Sequence, residues 1–130
     1  MPTVFFQEPK ETKLEAAKRK VAELEAELGP EHLDLVESLE ALMVVYFEQG
    51  QYENAKSSCR KILAILETNR GTQNSDYANA ITNLANILEN EGSVLEAQPL
   101  HEQASEIQRK SFVVELEKAH RRVSLAEEEL

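Results

Sequence analysis

Residues 29–66 read GPEHLDLVESLEALMVVYFEQGQYENAKSSCRKILAIL, and residues 71–108 read GTQNSDYANAITNLANILENEGSVLEAQPLHEQASEIQ. When Gly29 is set against Gly71, 42 residues later, identical residues fall in register along the two stretches. The identical pairs are Asp34 with Asp76, Leu42 with Leu84, Gly50 with Gly92, Ala55 with Ala97 and Ile65 with Ile107. A period in this range, with glycine between two helical patterns, is typical of a helical solenoid, in which each unit buries its apolar face against its neighbours.

The composition fits one helical domain of 130 residues, with 42% hydrophobic, 29% charged and 5% aromatic residues. No run approaches the roughly 20 apolar residues that span a bilayer. The N-terminus has no basic region followed by a long apolar run, as a secretory signal would need. The single cysteine, Cys59, excludes an internal disulfide framework. We therefore expect a cytoplasmic protein without membrane insertion.

The charge balance bears on the choice of partner. Fourteen Lys and Arg residues against 24 Asp and Glu residues give a formal net charge of −10. A phosphate backbone would meet mainly repulsion, because nucleic-acid binding rests on contacts from Lys and Arg to phosphate. We therefore expect no nucleic-acid partner.

The apolar pattern divides the chain into helices joined by short turns. Residues 1–8 predict an extended N-terminal arm, residues 9–28 a capping helix, and residues 29–70 and 71–110 one helical hairpin each. Apolar residues then recur at spacings of four and three in residues 111–130, which predict a C-terminal capping helix. This last helix is either continuous with the preceding one or separated from it near Lys110 and Ser111. About six helices are expected in total.

The repeat resembles the tetratricopeptide repeat in its longer, kinesin-light-chain-like form. The first copy carries Tyr46, Gly50, Tyr52 and Ala55 at the spacing of that motif, and the resemblance extends over residues 29–108. It implies an all-α, tetratricopeptide-like α-solenoid of antiparallel helical hairpins. It also implies a scaffold for protein–protein interaction that has no catalytic activity. The chain is either a complete small protein or a section of a longer array.

The resemblance also points to a binding surface. In tetratricopeptide proteins the first helix of each hairpin lines a concave groove that holds partner peptides. Asn83 matches a frequent groove asparagine of the family, and Asn86 follows one turn later. Asn79 and Asn90 share this helical face, since the four residues are spaced by four, three and four. Amides both donate and accept hydrogen bonds, so the row suits a partner's backbone. The alternative is that these residues are merely exposed to solvent.

The first repeat carries different residues in the corresponding places. Glu37, Glu40 and Val44, together with Ala41 and Glu48, predict a groove that is acidic and partly apolar. Tetratricopeptide clamps for acidic tails use Lys and Arg on these helices, and none falls there. A basic or amphipathic partner segment is therefore expected.

No constellation of residues indicates catalysis, a cofactor or a metal. Cys59 and His101 are equivalent residues of successive repeats, but both are expected in the buried stripe, without a third group to orient the imidazole. The three histidines, His32, His101 and His120, lack the spacing of metal ligands. We therefore expect neither an enzyme nor a metal or cofactor site.

An alternative function is structural. The amphipathic helices 14–28 and 112–130 have the spacing of short heptads, so they are candidates for pairing with copies of themselves. Because these heptads are few and several of their positions are Ala, we expect a monomer whose terminal helices cap the stack. Deleting residues 112–130 would then expose the apolar face of the last hairpin.

Overall fold

The computed structural model describes residues 9–129 and, within that range, contains five α-helices and no β-strand. The helices are α1 (Lys13–Leu28), α2 (Leu35–Glu48), α3 (Tyr52–Arg70), α4 (Ser75–Glu91) and α5 (Val94–Glu128). Each helix packs mainly on the next one in the chain. This arrangement confirms the predicted all-α solenoid of helical hairpins. The predicted N-terminal arm, residues 1–8, lies outside the described residues.

The 42-residue period is repeated in the backbone at the ends of α1 and α3. Gly29 and Gly71 both have positive φ, 89° and 77°. Their amides donate to the carbonyl oxygens of Glu25 and Glu67, at 2.8 and 3.1 Å. Only glycine takes this conformation without strain, so these two residues end their helices and redirect the chain. Because α1 ends in the same way as α3, α1 corresponds to the second helix of a hairpin.

The turns inside the two hairpins also match. The amide of Gln51 donates to the carbonyl oxygen of Tyr46, and the amide of Ser93 donates to that of Leu88, both at 2.8 Å. These bonds satisfy carbonyl groups that the end of a helix would otherwise leave unpaired. The short turns hold α2 against α3 and α4 against α5.

The core lies between the hairpins and contains small residues where helices cross. Ala55 and Ala97, which are equivalent in the two repeats, are both 0% exposed. A larger side chain at either position would push neighbouring helices apart. The main core cluster extends from Val21 of α1 to Ala97 of α5. Within the described residues, no helix is long and apolar enough to cross a membrane.

The C-terminal helix is continuous with the preceding one, which is the first of the two alternatives, and its position differs from that of the expected cap. α5 runs unbroken from Val94 to Glu128, so there are five helices rather than about six. The residue 42 positions after Gly71 is Val113, a β-branched residue that does not readily adopt positive φ, so nothing ends the helix there. The buried residues of α5 stop at Ile107, and residues 112–129 are all exposed. This part of the chain therefore does not cover the last hairpin.

The outer face of α5 is more polar than the corresponding face of α3. On α3, Cys59 is fully buried and Leu63 packs against the core, but the equivalent residues of α5 are His101 and Ser105. Ser105 is exposed, and His101 was expected to be buried but retains 38% of its side-chain exposure. Polar residues at these positions allow the outer face of α5 to lie in water, as the outer face of a capping unit does.

Candidate binding groove between α2 and α4

The predicted site residues lie on two helices that face a shared space. Glu37, Glu40 and Val44 belong to α2, and the four asparagines belong to α4. Six of these seven residues line two cavities that follow one another along α2 and α4. Asn90 lies outside both cavities, and its amide donates to the carbonyl oxygen of Asn86 at 2.8 Å. We call the two cavities together the α2–α4 groove.

The first cavity is acidic and has a volume of about 380 Å³. Its polar lining consists of Asp34, Glu37, Glu40, Asp76, Asn79 and Arg70, and its apolar lining of Leu33, Val36 and Leu66. Asp34 directly precedes α2, without a capping hydrogen bond from its side chain, and Asp76 lies in the first turn of α4, so the N-terminal ends of both helices meet here. Acidic side chains are favoured at helix N-termini, where the helix dipole is positive. We call this space the acidic cavity.

The acidic cavity holds more negative than positive charge. Arg70 donates to Asp76 at 2.6 Å and so neutralises one of its four carboxylates. Glu40 lies on the exposed face of α2, but neighbouring groups partly shield its carboxyl group from water, and this desolvation raises the pKa of the group above the usual range. Repulsion from Glu37 and Asp76 raises the pKa further. A cation entering the cavity would relieve this repulsion.

The second cavity is mainly apolar and has a volume of about 200 Å³. Its lining consists of Met43, Val44 and Phe47 from α2 and Asn83, Asn86 and Ile87 from α4. Met43 and Ile87 are buried, whereas Val44 is exposed to solvent. An apolar floor with two amides beside it suits a partner side chain and its neighbouring backbone. We call this space the apolar cavity.

The asparagine side chains differ in whether they are already engaged. Asn79 Oδ1 accepts a long hydrogen bond of 3.4 Å from Gln108 of α5. Within residues 9–129, the amides of Asn83 and Asn86 make no side-chain hydrogen bond, so their donors and acceptors remain open to a ligand. The contacts therefore distinguish among asparagines that the helical spacing places on one face.

Some residues of the groove lie outside the predicted set. Asp34 and Asp76 line the acidic cavity, and their identity in the two repeats is the signal in the sequence that could have indicated them. Phe47 lies three residues after Val44, so helical spacing could have placed it on the groove face. Arg70 enters the acidic cavity from the end of α3, and the period of α2 and α4 gives no signal for it.

Cys59 and His101 are held by different groups. The Cys59 thiol is fully buried and donates to the carbonyl oxygen of Ala80 at 3.2 Å. Burial raises the pKa of this thiol to about 12, which disfavours the reactive thiolate. The imidazole of His101 instead pairs with Glu89. In the part of the chain that the structure describes, no three His, Cys, Asp or Glu residues are grouped to hold a metal ion.

A family model for the tetratricopeptide repeat matches residues 34–110, more than half of the chain. The chain belongs to the tetratricopeptide repeat family. The matched range includes all seven predicted site residues and every residue that lines the two cavities except Leu33. A comparison with curated proteins found no significant match. Tetratricopeptide repeats generally mediate protein–protein interactions and are generally non-catalytic, so a protein partner is the ligand to consider.

Proposed function

We propose that this tetratricopeptide repeat protein is a non-catalytic adaptor that holds a peptide or helical segment of a partner protein in the α2–α4 groove. The observation that carries the proposal is the succession of the acidic and the apolar cavity along one pair of helices. Glu37, Glu40 and Val44 are spaced by three and four residues, so they follow one another along the same face of α2. A single partner segment can therefore reach both cavities.

The chemistry of the two cavities defines the partner segment. The acidic cavity favours Lys or Arg, and the apolar cavity favours an aliphatic or aromatic side chain. Glu40 and Val44 are four residues apart on a helix, which corresponds to a rise of about 6 Å. A basic and an apolar residue about two positions apart in an extended segment match this separation. A basic, amphipathic segment is thus the preferred ligand.

We also propose that the repeats are of the kinesin-light-chain type, with units at residues 29–70 and 71–110. The support is the 42-residue recurrence of the helix-ending bonds at Gly29 and Gly71, which is longer than the 34-residue period of the shorter form. A cytoplasmic location belongs to the same proposal, and its support is the one free, buried cysteine. The groove lies within one copy of the chain, so a monomer is sufficient for this function.

Self-association through the terminal helices is the second candidate function. The apolar residues of α1 are used inside the chain, because Leu14, Ala17 and Leu24 pack against the core and Val21 belongs to it. Helix 14–28 is therefore not free to pair with a copy of itself. The C-terminal part of α5, by contrast, keeps several large apolar side chains exposed, and this observation favours the second candidate.

Site-specific photocrosslinking in cell extract tests the adaptor proposal. A photoreactive amino acid at Val44 reports from the apolar cavity, and the same amino acid at Leu95 reports from an exposed position on α5. We expect a specific partner protein to crosslink from position 44 and not from position 95. A partner that crosslinks only from position 95, or equally from both positions, would exclude the α2–α4 groove as the binding site.

A further inference from the structure

The C-terminal part of α5 presents a row of apolar side chains to solvent. The row consists of Phe112, Leu116, Ala119, Val123 and Ala126, which we call the distal stripe. Its large members are strongly exposed: Phe112 by 65%, Leu116 by 54% and Val123 by 57%. The spacing of four, three, four and three residues is that of a heptad seam, in which one helix packs against another. Exposed apolar surface of this kind marks an interaction site.

We infer that the distal stripe pairs with the distal stripe of a second copy of this chain, forming a parallel two-stranded coiled coil. This contact lies outside the α2–α4 groove and does not depend on the adaptor proposal. In a parallel pair each layer meets itself, so Phe112 lies against Phe112, Leu116 against Leu116 and Val123 against Val123. Apolar surface is thereby covered along the whole stripe.

The charged residues beside the stripe favour the parallel orientation. Leu116 and Val123 are a positions of the heptad, so the residue before each of them is a g position. In a parallel coiled coil, a g residue faces the e residue of the partner helix that lies five places later in the sequence. This rule sets Glu115 opposite His120, and Arg122 opposite Glu127. The second contact joins opposite charges, and in the first the imidazole can donate a hydrogen bond to the carboxylate. An antiparallel pair centred on the same layers would set Arg122 against Arg122 and Glu115 near Glu129.

The apolar seam begins at Phe112. In the same seven-residue frame, the preceding seam positions are polar or charged, namely Gln98, Glu102, Ser105 and Arg109. Arg109 already pairs with Glu106 of its own helix, at 2.7 Å. The pairing is therefore confined to the distal stripe, and the flanking charges set its orientation.

The hairpin leaves room for the second copy. The buried residues of α5, Ala97, Ala104 and Ile107, lie on the side that packs against α4. At about 100° per residue, the distal stripe is turned by roughly 100° from that side. The second helix therefore approaches without displacing α4. Because α5 is anchored by its packed half, the exposed half is already helical, which lowers the cost of pairing a short coiled coil.

The oligomeric state of the full chain tests the inference, and α5 offers matched controls. Leu125 and Val114 are also exposed, by 56% and 46%, but lie off the stripe. In sedimentation velocity over a range of concentrations, we expect the wild-type mass to rise from one copy to two. Leu116→Glu with Val123→Glu should weaken this association at least tenfold, whereas Leu125→Glu with Val114→Glu should leave it nearly unchanged.

Two outcomes of that experiment would overturn the inference. A wild-type chain that stays monomeric up to millimolar concentration would exclude a second copy as the occupant of the stripe. Equal weakening by both double variants would indicate general hydrophobic association rather than a seam.

Disulfide trapping tests the orientation separately. A cysteine at Ala119 or at Ala126 faces itself in a parallel pair, so each variant should form a covalent dimer under mild oxidation. In the antiparallel pair centred on the same layers, position 126 faces position 116, so the Ala126→Cys variant should not crosslink. The native Cys59 is fully buried, and the wild-type chain serves as the unreactive control. Failure of either variant to crosslink while the wild type dimerises would exclude parallel pairing.

Discussion

Glu37 and Asn79 occupy equivalent positions of successive repeats, 42 residues apart, and line the same cavity. One repeat thus contributes a carboxylate and the next an amide to a shared surface. Because Asp34, Glu40 and Asp76 also line it, the cavity is acidic, although the row of asparagines on α4 is neutral. The proposed groove therefore offers carboxylates at one end and amides further along.

Glu40→Gln should stabilise the protein at neutral pH. The pKa of Glu40 is raised in the native state, so above that value the ionised carboxylate destabilises the fold. Below the ordinary pKa, both the native and the unfolded chain carry the proton, and the advantage of the amide disappears. Urea denaturation of both proteins at pH 7 and pH 4 measures this, with Glu48→Gln, which lies outside both cavities, as control. Equal stability of the wild type and Glu40→Gln at pH 7 would mean that the native fold does not raise the pKa of Glu40.

Overpacking at the helix crossings should cost stability. Ala55→Leu and Ala97→Leu should each lower the free energy of unfolding by about 1–3 kcal/mol, because both positions are fully buried between helices. Ala26→Leu, on the exposed face of α1, should change it by less than about 0.5 kcal/mol. Chemical denaturation of the three variants measures these changes. Neutral results at both buried positions would show that the two repeats are aligned incorrectly.

Removing residues 112–130 should leave the folded domain nearly intact. The described part of this segment is exposed throughout, so the sequence-based expectation that it caps the last hairpin is replaced by the opposite one. Thermal denaturation at low protein concentration should give an unchanged cooperative transition. A deletion extended to residue 104 removes the buried Ala104 and Ile107 and should unfold the last hairpin. Aggregation of the shorter deletion would restore the capping role.

The fold was predictable because its main determinants are local and repeated. Gly29 and Gly71 end helices in the same conformation, and Ala55 and Ala97 are buried to the same degree, as the aligned positions indicated. The exposure of residues 112–129 could not be predicted, because the apolar spacing would be the same if these residues packed on their own hairpin or on a second copy of the chain. The lack of glycine at position 113 was the readable sign that α5 continues.

The helix face that lines the groove could be predicted from the sequence, but the complete set of lining residues could not. Helical spacing placed Asn83 and Asn86 on one face, and the structure brings both into the apolar cavity. The acidic cavity also depends on Arg70, which reaches it from the end of α3, and periodicity cannot report on such a contact. The exposure of His101 follows from the absence of a packed neighbour beyond α5, whereas its equivalent, Cys59, is covered by α4.

The most direct measurement for the adaptor role is calorimetric titration of the partner segment that crosslinks at position 44. Asn83→Ala with Asn86→Ala should weaken binding by about 5- to 150-fold, since each lost hydrogen bond costs about 0.5–1.5 kcal/mol. Asn54→Ala changes an exposed asparagine on α3, outside both cavities, and should leave the affinity unchanged. Glu37→Lys with Glu40→Lys should also weaken binding, and the loss should shrink as salt rises. Equal affinity across all these variants would contradict binding in the α2–α4 groove.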